Sequence, residues 1–149
     1  MTIHIRKGMK SDLPKVLELI SELAIFEKAP EQVTITLEQL EKDGFEGNPL
    51  YHFLVAESNH EVVGMAFYYF RYSTWKGKFL YLEDFIVRQE YRSKGIGKTL
   101  FNELKNQAIK DECIGMSWQV LDWNEDAIRF YKSIGAELDD EWLNGKIIL

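Results

Sequence analysis

The sequence predicts a mixed α/β protein, and the order of its apolar patterns is the main reason. Strand-like residues 51–57 and 61–72 flank a polar turn, which indicates an antiparallel hairpin. The later half alternates strand-like and helical patterns, in the order strand, helix, strand, helix. Antiparallel strands followed by such a half give a mixed α/β order. At 149 residues the chain predicts one domain, residues 1–149.

The N-terminal part reads as a short strand followed by a helix. Residues 3–6 alternate as a strand does. Ser11 or Asp12 can cap the helix that follows, and residues 29–31, which include a proline, end it. One face of this helix is apolar and carries Leu13, Val16, Leu17, Ile20, Leu23 and Ala24.

The remaining elements follow from one cap and several apolar runs. Thr36 and Gln39 form a capping-box pattern, which predicts a short helix to about Asp43. The other predicted elements are strands at 78–87 and 116–121, helices at 98–111 (Leu100, Leu104 and Ala108 inward) and 125–134, and closing segments at 137–138 and 146–149.

The composition argues against several classes of protein. No stretch approaches the roughly 20 apolar residues of a membrane span. The first residues enter a strand pattern directly, so no signal peptide is expected. The lone Cys113 fits a reducing compartment, so we expect a cytoplasmic protein. The formal net charge of −6 argues against nucleic acid as a partner and favours a cationic one. The histidines lack metal-ligand spacing, so no metal site is expected.

The most informative segment is Tyr91–Gly97, which lies between a predicted strand and a predicted helix. The first turn of a helix presents unpaired N–H groups and the positive end of its dipole, so it attracts anions. Gly95 and Gly97 would let the backbone approach a phosphate closely, and Arg92 adds positive charge. The segment therefore predicts a phosphate-bearing ligand.

Two familiar glycine patterns do not fit this segment. Gly97–Thr99 looks like the end of a P-loop, but that pattern needs glycine where Arg92 stands. A dinucleotide fingerprint needs its third glycine where Leu100 stands. The pattern that fits is [Q/R]-x-x-G-x-[G/A], filled by Arg92, Gly95 and Gly97. For this motif alone, an ordinary strand-to-helix turn remains an alternative.

A second motif, N-x5-F-Y-x3-G, spans Asn124–Gly135 and follows an apolar strand. In this order and spacing, the two motifs resemble the acyl-CoA pyrophosphate loop and the C-terminal half of the GNAT superfamily of N-acetyltransferases. Shorter segments resemble one group within it, the spermidine/spermine (diamine) and thialysine N-acetyltransferases. These segments are Tyr81–Phe85, Tyr68–Phe70, Asp43–Phe45, Tyr51–His52, Trp123–Glu125 and parts of 23–33.

This resemblance covers the chain from about Ile3 to Ala136 and implies a fold. The expected sheet is mixed and mostly antiparallel, with helices on both faces. Two parallel strands, around 80–87 and 116–121, would separate to admit the pantetheine arm of acetyl-CoA. Members of the family are usually dimeric, so a homodimer is expected. The residues that the resemblance assigns to acetyl-CoA are Phe85, Ile86, Val87, Arg92, Ser93, Lys94, Gly95, Ile96, Gly97, Lys98, Asn124 and Tyr131.

The implied reaction is direct attack of an amine on the acetyl thioester while both substrates are bound. An alkylammonium has a pKa of about 10.4, so it must lose a proton first. By its family counterpart Glu83 is the expected base, acting through water, and Tyr131 is expected to protonate the departing thiolate. A backbone N–H near Phe85 or Ile86 would stabilise the oxyanion. Alternatively, Glu83 is a solvated strand residue and Tyr131 a packing residue.

The acceptor is expected to be a small cationic amine. Glu27, Glu31, Trp75 and Glu83 match positions that line the amine groove in the diamine acetyltransferases. This chain departs from the polyamine pattern by carrying Ser73 in place of an aspartate and Arg71 in place of a small polar residue. A shorter diamine, or an amino acid such as thialysine or lysine, is therefore as plausible as a polyamine. Two other functions stay open: acetylation of a protein or peptide amine, and acyl-CoA sensing without catalysis.

Overall fold

A computed structural model describes residues 2–149 of the chain. They form two compact units, divided between Trp118 and Gln119. The first unit holds a five-stranded sheet and three helices, and the second holds one helix. The elements are β1 (His4–Lys7), α1 (Leu13–Phe26), α2 (Leu37–Phe45), β2 (His52–Ser58), β3 (Glu61–Ser73), β4 (Gly77–Val87), α3 (Ile96–Lys110), β5 (Gly115–Trp118) and α4 (Glu125–Ser133).

The sheet has the strand order β1-β2-β3-β4-β5. The first four strands pair antiparallel, and β4 pairs with β5 in parallel. The turn between β2 and β3 places Asn59 and His60 at φ of 51° and 64°, as a two-residue hairpin turn of type I′ requires. The mixed, mostly antiparallel sheet predicted from the sequence is confirmed.

Helices cover both faces of this sheet. Leu13, Val16 and Leu19 of α1 pack with Phe53 and Met65 of the central strands in one buried cluster. On the opposite face the inward residues of α3 are buried as predicted, with Leu100, Leu104 and Ala108 exposed by 0%, 0% and 4%. Burial of the two sheet faces is thus what holds α1, α2 and α3 in place.

Two predicted helix caps differ in detail from the structure. Thr36 Oγ1 accepts a hydrogen bond of 3.1 Å from the Gln39 backbone N–H, as expected. The Gln39 side chain, however, donates to Asp43 instead of completing the capping box. Asp12 does not cap α1 with its side chain, because its carboxylate accepts hydrogen bonds from Arg6 and from the backbone of residue 9. The ion pair between Arg6 of β1 and Asp12 has replaced the expected side-chain cap of α1.

The C-terminal elements are shorter than predicted. β5 ends at Trp118, although apolar residues continue to Leu121. Residues 136–149 form neither helix nor strand, and residues 139–149 are exposed throughout. Within residues 2–149, no helix combines the length and the apolar character needed to cross a membrane.

Candidate active site

The segment Tyr91–Gly97, which we call the glycine loop, follows the C-terminal end of β4. After Val87 the chain makes one 3-10 turn and then enters α3 at Ile96. The Arg92 side chain folds back, and its Nε donates a hydrogen bond of 2.8 Å to the Val87 carbonyl. Ser93 and Gly95 both have left-handed backbone conformations, with φ of 61° and 81°. The loop is therefore a tight, locally fastened turn that leads directly into a helix N-terminus.

This geometry suits an anion. Gly95 is the N-cap of α3, and the N–H groups of the first helical turn have no partner within the helix. Backbone turns that mix left- and right-handed residues gather N–H groups into an anion-binding concavity. A Cβ added at Gly95 would meet no protein atom within 4 Å, so a ligand has room to approach. The basic side chains of Arg92, Lys94 and Lys98 surround this position in sequence.

Strand β4 carries a β-bulge at Glu83, before the strand ends at Val87. Tyr68 of β3 lies opposite Leu82, whereas its neighbour Phe67 lies opposite Asp84, so Glu83 is the additional residue. The parallel pairing of β4 with β5 runs from Phe79 to Leu82 and goes no further. Both irregularities occur at the same place, so the chain changes its strand geometry where Glu83 stands.

Three carboxylates interact around this bulge, and we refer to Glu27, Glu83 and Asp84 as the carboxylate cluster. Burial, and after it the negative charges of Glu83 and Glu27, together raise the pKa of Asp84 to about 6. Burial also raises the pKa of Glu27, which follows the last residue of α1. Within residues 2–149 none of these three carboxylates forms an ion pair, so the fold has gathered negative charge in an arrangement that favours a cationic ligand.

Two tyrosines and one arginine lie beside the carboxylate cluster on β3 and β4. Tyr69 and Tyr81 lie opposite each other on β3 and β4, with ring centroids 5.2 Å apart. Burial, and after it the charge of Glu83, raises the pKa of both phenols. The guanidinium carbon of Arg71 lies 5.6 Å from the Tyr81 ring centroid. Glu83 and Arg71 therefore act electrostatically on the same pair of tyrosines.

Two residues predicted to bind the acceptor, Glu31 and Trp75, are not members of the carboxylate cluster. Glu31 is exposed in the 3-10 turn Pro30–Gln32, and the charges that act on Asp84 come from Glu83 and Glu27. Trp75 lies in the turn between β3 and β4 and is 89% exposed. The structure does not bring either side chain to the carboxylate cluster, and their assignment to the acceptor stays a prediction.

The second unit contains the other sequence motif. Asn124 is the N-cap of α4, and its Oδ1 accepts a hydrogen bond of 3.2 Å from the Ala127 N–H. Tyr131 lies in α4, is 7% exposed, and packs its ring edge-on against Phe130. Gly135, at φ of 88°, ends the helix in the left-handed conformation. The motif therefore has a structural role in capping α4 at both ends, besides its predicted role in binding acetyl-CoA.

A separate cavity of about 430 Å³ contains none of the predicted site residues. Its walls include Tyr51, His52, Phe53, Tyr68 and Phe70. Burial lowers the pKa of His52, which keeps its ring neutral at physiological pH. Within residues 2–149, no group of three or more His, Cys, Asp or Glu side chains is arranged to hold a metal ion.

Comparison with known proteins identifies the family. The profile of the Acetyltransferase (GNAT) family matches residues 14–136. This chain belongs to that family. It is 43% identical to the thialysine N-epsilon-acetyltransferase of Bos taurus over 143 residues, which cover 91% of this chain and 84% of the relative. It is 42% identical to the human spermidine/spermine N(1)-acetyltransferase-like protein 1 over 89% of this chain and 20% of that longer protein.

The fold agrees with this assignment. A possible acetyltransferase from Clostridium difficile 630 matches with a TM-score of 0.78 and 26% identity, covering 100% of both chains. The resemblance noted in the motifs, the acyltransferase fold and the class of enzyme are thereby confirmed. The protein is an acetyltransferase, and enzymes of this family take their acetyl group from acetyl-CoA.

Sequence reasoning missed three residues in this part of the sheet: Asp84 of the carboxylate cluster, and Tyr69 and Tyr81 beside it. Asp84 follows Glu83 directly, but strict strand alternation places neighbouring side chains on opposite faces. The bulge at Glu83 interrupts this alternation. Tyr69 and Tyr81 stood within aromatic and apolar runs that are typical of a core, and only the register shows that they face each other. The doublet Glu83-Asp84 inside an apolar run was the one available signal.

Proposed function

We propose that this enzyme transfers the acetyl group of acetyl-CoA to a primary amine of a small cationic acceptor, namely a diamine, a polyamine or a lysine-like amino acid such as thialysine. The carboxylate cluster carries this proposal, since Glu27, Glu83 and Asp84 concentrate negative charge at the bulge of β4, the strand that leads to the glycine loop. The Bos taurus relative is named for acetylation of thialysine, and the human relative is named as similar to acetyltransferases of spermidine and spermine, both at more than 40% identity.

The glycine loop is the proposed site of the pyrophosphate. Backbone N–H groups from Ser93 to Lys98 would bind its oxygens, and Arg92 would add a charge-assisted contact. The left-handed residues Ser93 and Gly95 and the open space at Gly95 support this assignment. The pantetheine arm would then run along the backbone of Phe85–Val87, beyond the point where β4 pairs with β5. In this respect the arm takes the position of an added strand.

Glu83 is the proposed base. Through a water molecule it would take the proton of the acceptor ammonium, and the free amine would attack the acetyl carbonyl. The C–N bond forms first and gives a tetrahedral intermediate, whose oxyanion a backbone N–H near Phe85 or Ile86 would stabilise. Collapse of this intermediate breaks the C–S bond, and the nitrogen loses its second proton to solvent. Asp84 and Glu27 would hold the remaining positive charge of the acceptor. Glu31 and Trp75 are retained as further acceptor contacts by resemblance alone.

Tyr131 is the proposed acid. Its phenol would give a proton to the departing CoA thiolate, and the amide of Asn124 would bind the pantetheine arm. These residues belong to the second unit and Glu83 to the first. We propose that residues 1–149 are one N-acetyltransferase domain. No covalent enzyme intermediate is needed, and Cys113 has no role in this scheme.

We also propose a cytoplasmic homodimer. The long exposed apolar residues Trp142, Leu143, Ile147 and Ile148 lie in the C-terminal segment without helix or strand, and such side chains favour a protein partner. Light scattering after size exclusion tests the dimer: a monomer mass at micromolar concentration would contradict it. Deletion of residues 142–149 tests whether this segment contributes to the dimer.

Release of free CoA thiol with a panel of amines tests the function. The panel contains spermidine, spermine, putrescine, diaminopropane, lysine, thialysine and a lysine peptide. We expect turnover with one or more free amines and little with the peptide. A preference for the peptide would favour the protein-acetylating alternative. Tight acetyl-CoA binding without turnover on any amine would favour a sensor.

A further inference from the structure

Arg71 differs from the other arginines in its partners. Arg6, Arg88 and Arg129 each form ion pairs with nearby carboxylates. Arg92 is fastened to the backbone at the glycine loop, where the proposed pyrophosphate accounts for its charge. In the part of the chain that the structure describes, residues 2–149, Arg71 has neither an ion pair nor a hydrogen bond from its side chain. Its charge is therefore not explained by a protein partner.

The position of Arg71 is nevertheless defined. It is exposed on β3, two residues beyond Tyr69 and thus on the same face of the sheet. Its guanidinium carbon lies 5.6 Å from the centroid of the Tyr81 ring, within the range of a cation–π contact. Tyr81 is itself 9% exposed and cannot move easily. The tyrosine ring orients the guanidinium without neutralising it, because burial keeps the pKa of this phenol raised.

The distance from Arg71 to the proposed base matches a lysine-like molecule. Tyr81 precedes Glu83 by two residues, Tyr69 lies opposite Tyr81, and Arg71 follows Tyr69 by two residues. At about 3.3 Å per strand residue, the Cα atoms of Glu83 and Arg71 are separated by roughly 13 Å along the strands. An extended lysine spans roughly 7 Å between its side-chain nitrogen and its carboxylate carbon, and the two protein side chains reach across the remainder.

The charges between Glu83 and Arg71 also match those of a lysine-like amino acid. Negative charge lies at the Glu83 end, in the carboxylate cluster, and positive charge lies at the Arg71 end. A diamine or polyamine would place ammonium groups at both ends, and one of them would meet the guanidinium. An amino acid with a side-chain amine offers an ammonium to the cluster and a carboxylate to the arginine. Planar guanidinium and carboxylate groups form paired hydrogen bonds.

We infer that Arg71 binds the carboxylate of an amino-acid acceptor and selects such acceptors over diamines and polyamines. This inference rests on the proposed function, since it assumes that Glu83 activates the acceptor amine. Arg71 is then a specificity-determining residue of the acceptor site, and Tyr81 positions it. Nothing in the chemistry requires Arg71 to take part in acetyl transfer itself.

The test compares L-lysine with L-lysinamide, which keeps the side-chain amine but lacks the negative charge. Initial rates of CoA release are measured for the wild type, Arg71→Ala, Arg71→Lys and the control Arg129→Ala, with product structure checked by NMR. For Arg71→Ala we expect the KM for lysine to rise about tenfold, as for loss of a charge-assisted contact. The kcat for lysine should not change, and the KM for lysinamide should stay the same or fall, because the guanidinium no longer faces its second amine. Arg71→Lys should restore part of the loss, and Arg129→Ala should match the wild type.

Two results would overturn the inference and leave the proposed function intact. One is an unchanged KM for lysine in Arg71→Ala. The other is an equal loss with lysine and lysinamide, which would mean that Arg71 only supports Tyr81. Turnover of lysinamide also reports that the variant is folded. If the wild type acetylates no amine at all, both the inference and the proposed function fail together.

Discussion

Arg92 donates a hydrogen bond of 2.8 Å from its Nε to the backbone carbonyl of Val87. This bond connects the glycine loop to the last residue of β4. The other two guanidinium nitrogens have no hydrogen-bond partner within residues 2–149. One side chain can thus shape the loop and bind an anion at the same time. The strand that would bind the pantetheine arm and the loop that would bind the pyrophosphate are coupled through this contact.

Replacing Arg92 by alanine should weaken acetyl-CoA binding. Both the charge-assisted contact and the tie to Val87 are lost, so we expect the KM for acetyl-CoA to rise about tenfold or more. The KM for the amine should change little. Steady-state kinetics with each substrate varied in turn measures this, with Arg129→Ala as a control on an exposed arginine. An unchanged KM for acetyl-CoA would contradict the pyrophosphate assignment.

Gly95 can be tested against a second glycine with similar geometry. Gly95 has φ of 81° and Gly47 has φ of 64°, and an added Cβ meets no atom within 4 Å at either position. Alanine at each should therefore reduce the free energy of unfolding by about 1 kcal/mol, through backbone strain alone. Only Gly95→Ala should also weaken acetyl-CoA binding, measured by calorimetry. Equal acetyl-CoA affinity in the two variants would argue against close approach of a phosphate at Gly95.

Asp84 should make the protein less stable as the pH rises. Its pKa is about 6 in the folded protein and 3.8 when unperturbed. Well below pH 3.8 the group is protonated in both states, and its burial does not reduce stability. Between these values the unfolded chain ionises first, so stability falls, and above pH 6 the folded protein carries a buried charge at a cost of up to about 3 kcal/mol.

The variant Asp84→Asn should remove this dependence. We expect it to unfold at higher urea concentration than the wild type at pH 8, and to match the wild type near pH 4. Its KM for a cationic acceptor should rise, because the cluster loses one charge. The control Asp122→Asn alters an exposed carboxylate and should shift neither property. A variant that is less stable than the wild type at pH 8 would show that ionised Asp84 is stabilised by partners, against the prediction.

Glu83 should affect turnover more than binding. Without a base the acceptor remains an ammonium, so Glu83→Gln should lower kcat by about 10²-fold, the lower range for loss of general base catalysis. Raising the pH should recover part of the rate, because more free amine is then present. Glu103→Gln, on the exposed side of α3, is the matched control. Equal kcat values at every pH would exclude Glu83 as the base.

Tyr131 should affect the departure of CoA. Tyr131→Phe keeps the ring that packs against Phe130 and removes only the phenol hydroxyl. We expect normal acetyl-CoA affinity by calorimetry and strongly reduced kcat, with Tyr72→Phe, an exposed tyrosine, as the control. Unchanged turnover would remove Tyr131 from the mechanism and leave it a packing residue.

Local sequence predicted most elements because their signals are local. The apolar face of α1, the Thr36 cap and the run of β4 depend on neighbours within a few residues, and each was found within about two residues of its predicted bounds. β5 was the exception. Its apolar run extends to Leu121, but pairing with β4 ends at Trp118, and the length of a strand depends on its partner.

The sequence by itself determined the family, the fold class and the position of the glycine loop, because these rest on short local motifs and on their order along the chain. Tertiary structure alone decided the carboxylate cluster and the line from Glu83 to Arg71. The bulge at Glu83 arises from the register of two strands, and the raised pKa of Asp84 arises from burial together with charges on β4 and after α1. Register and burial are properties of paired and packed elements, so no single segment contains them.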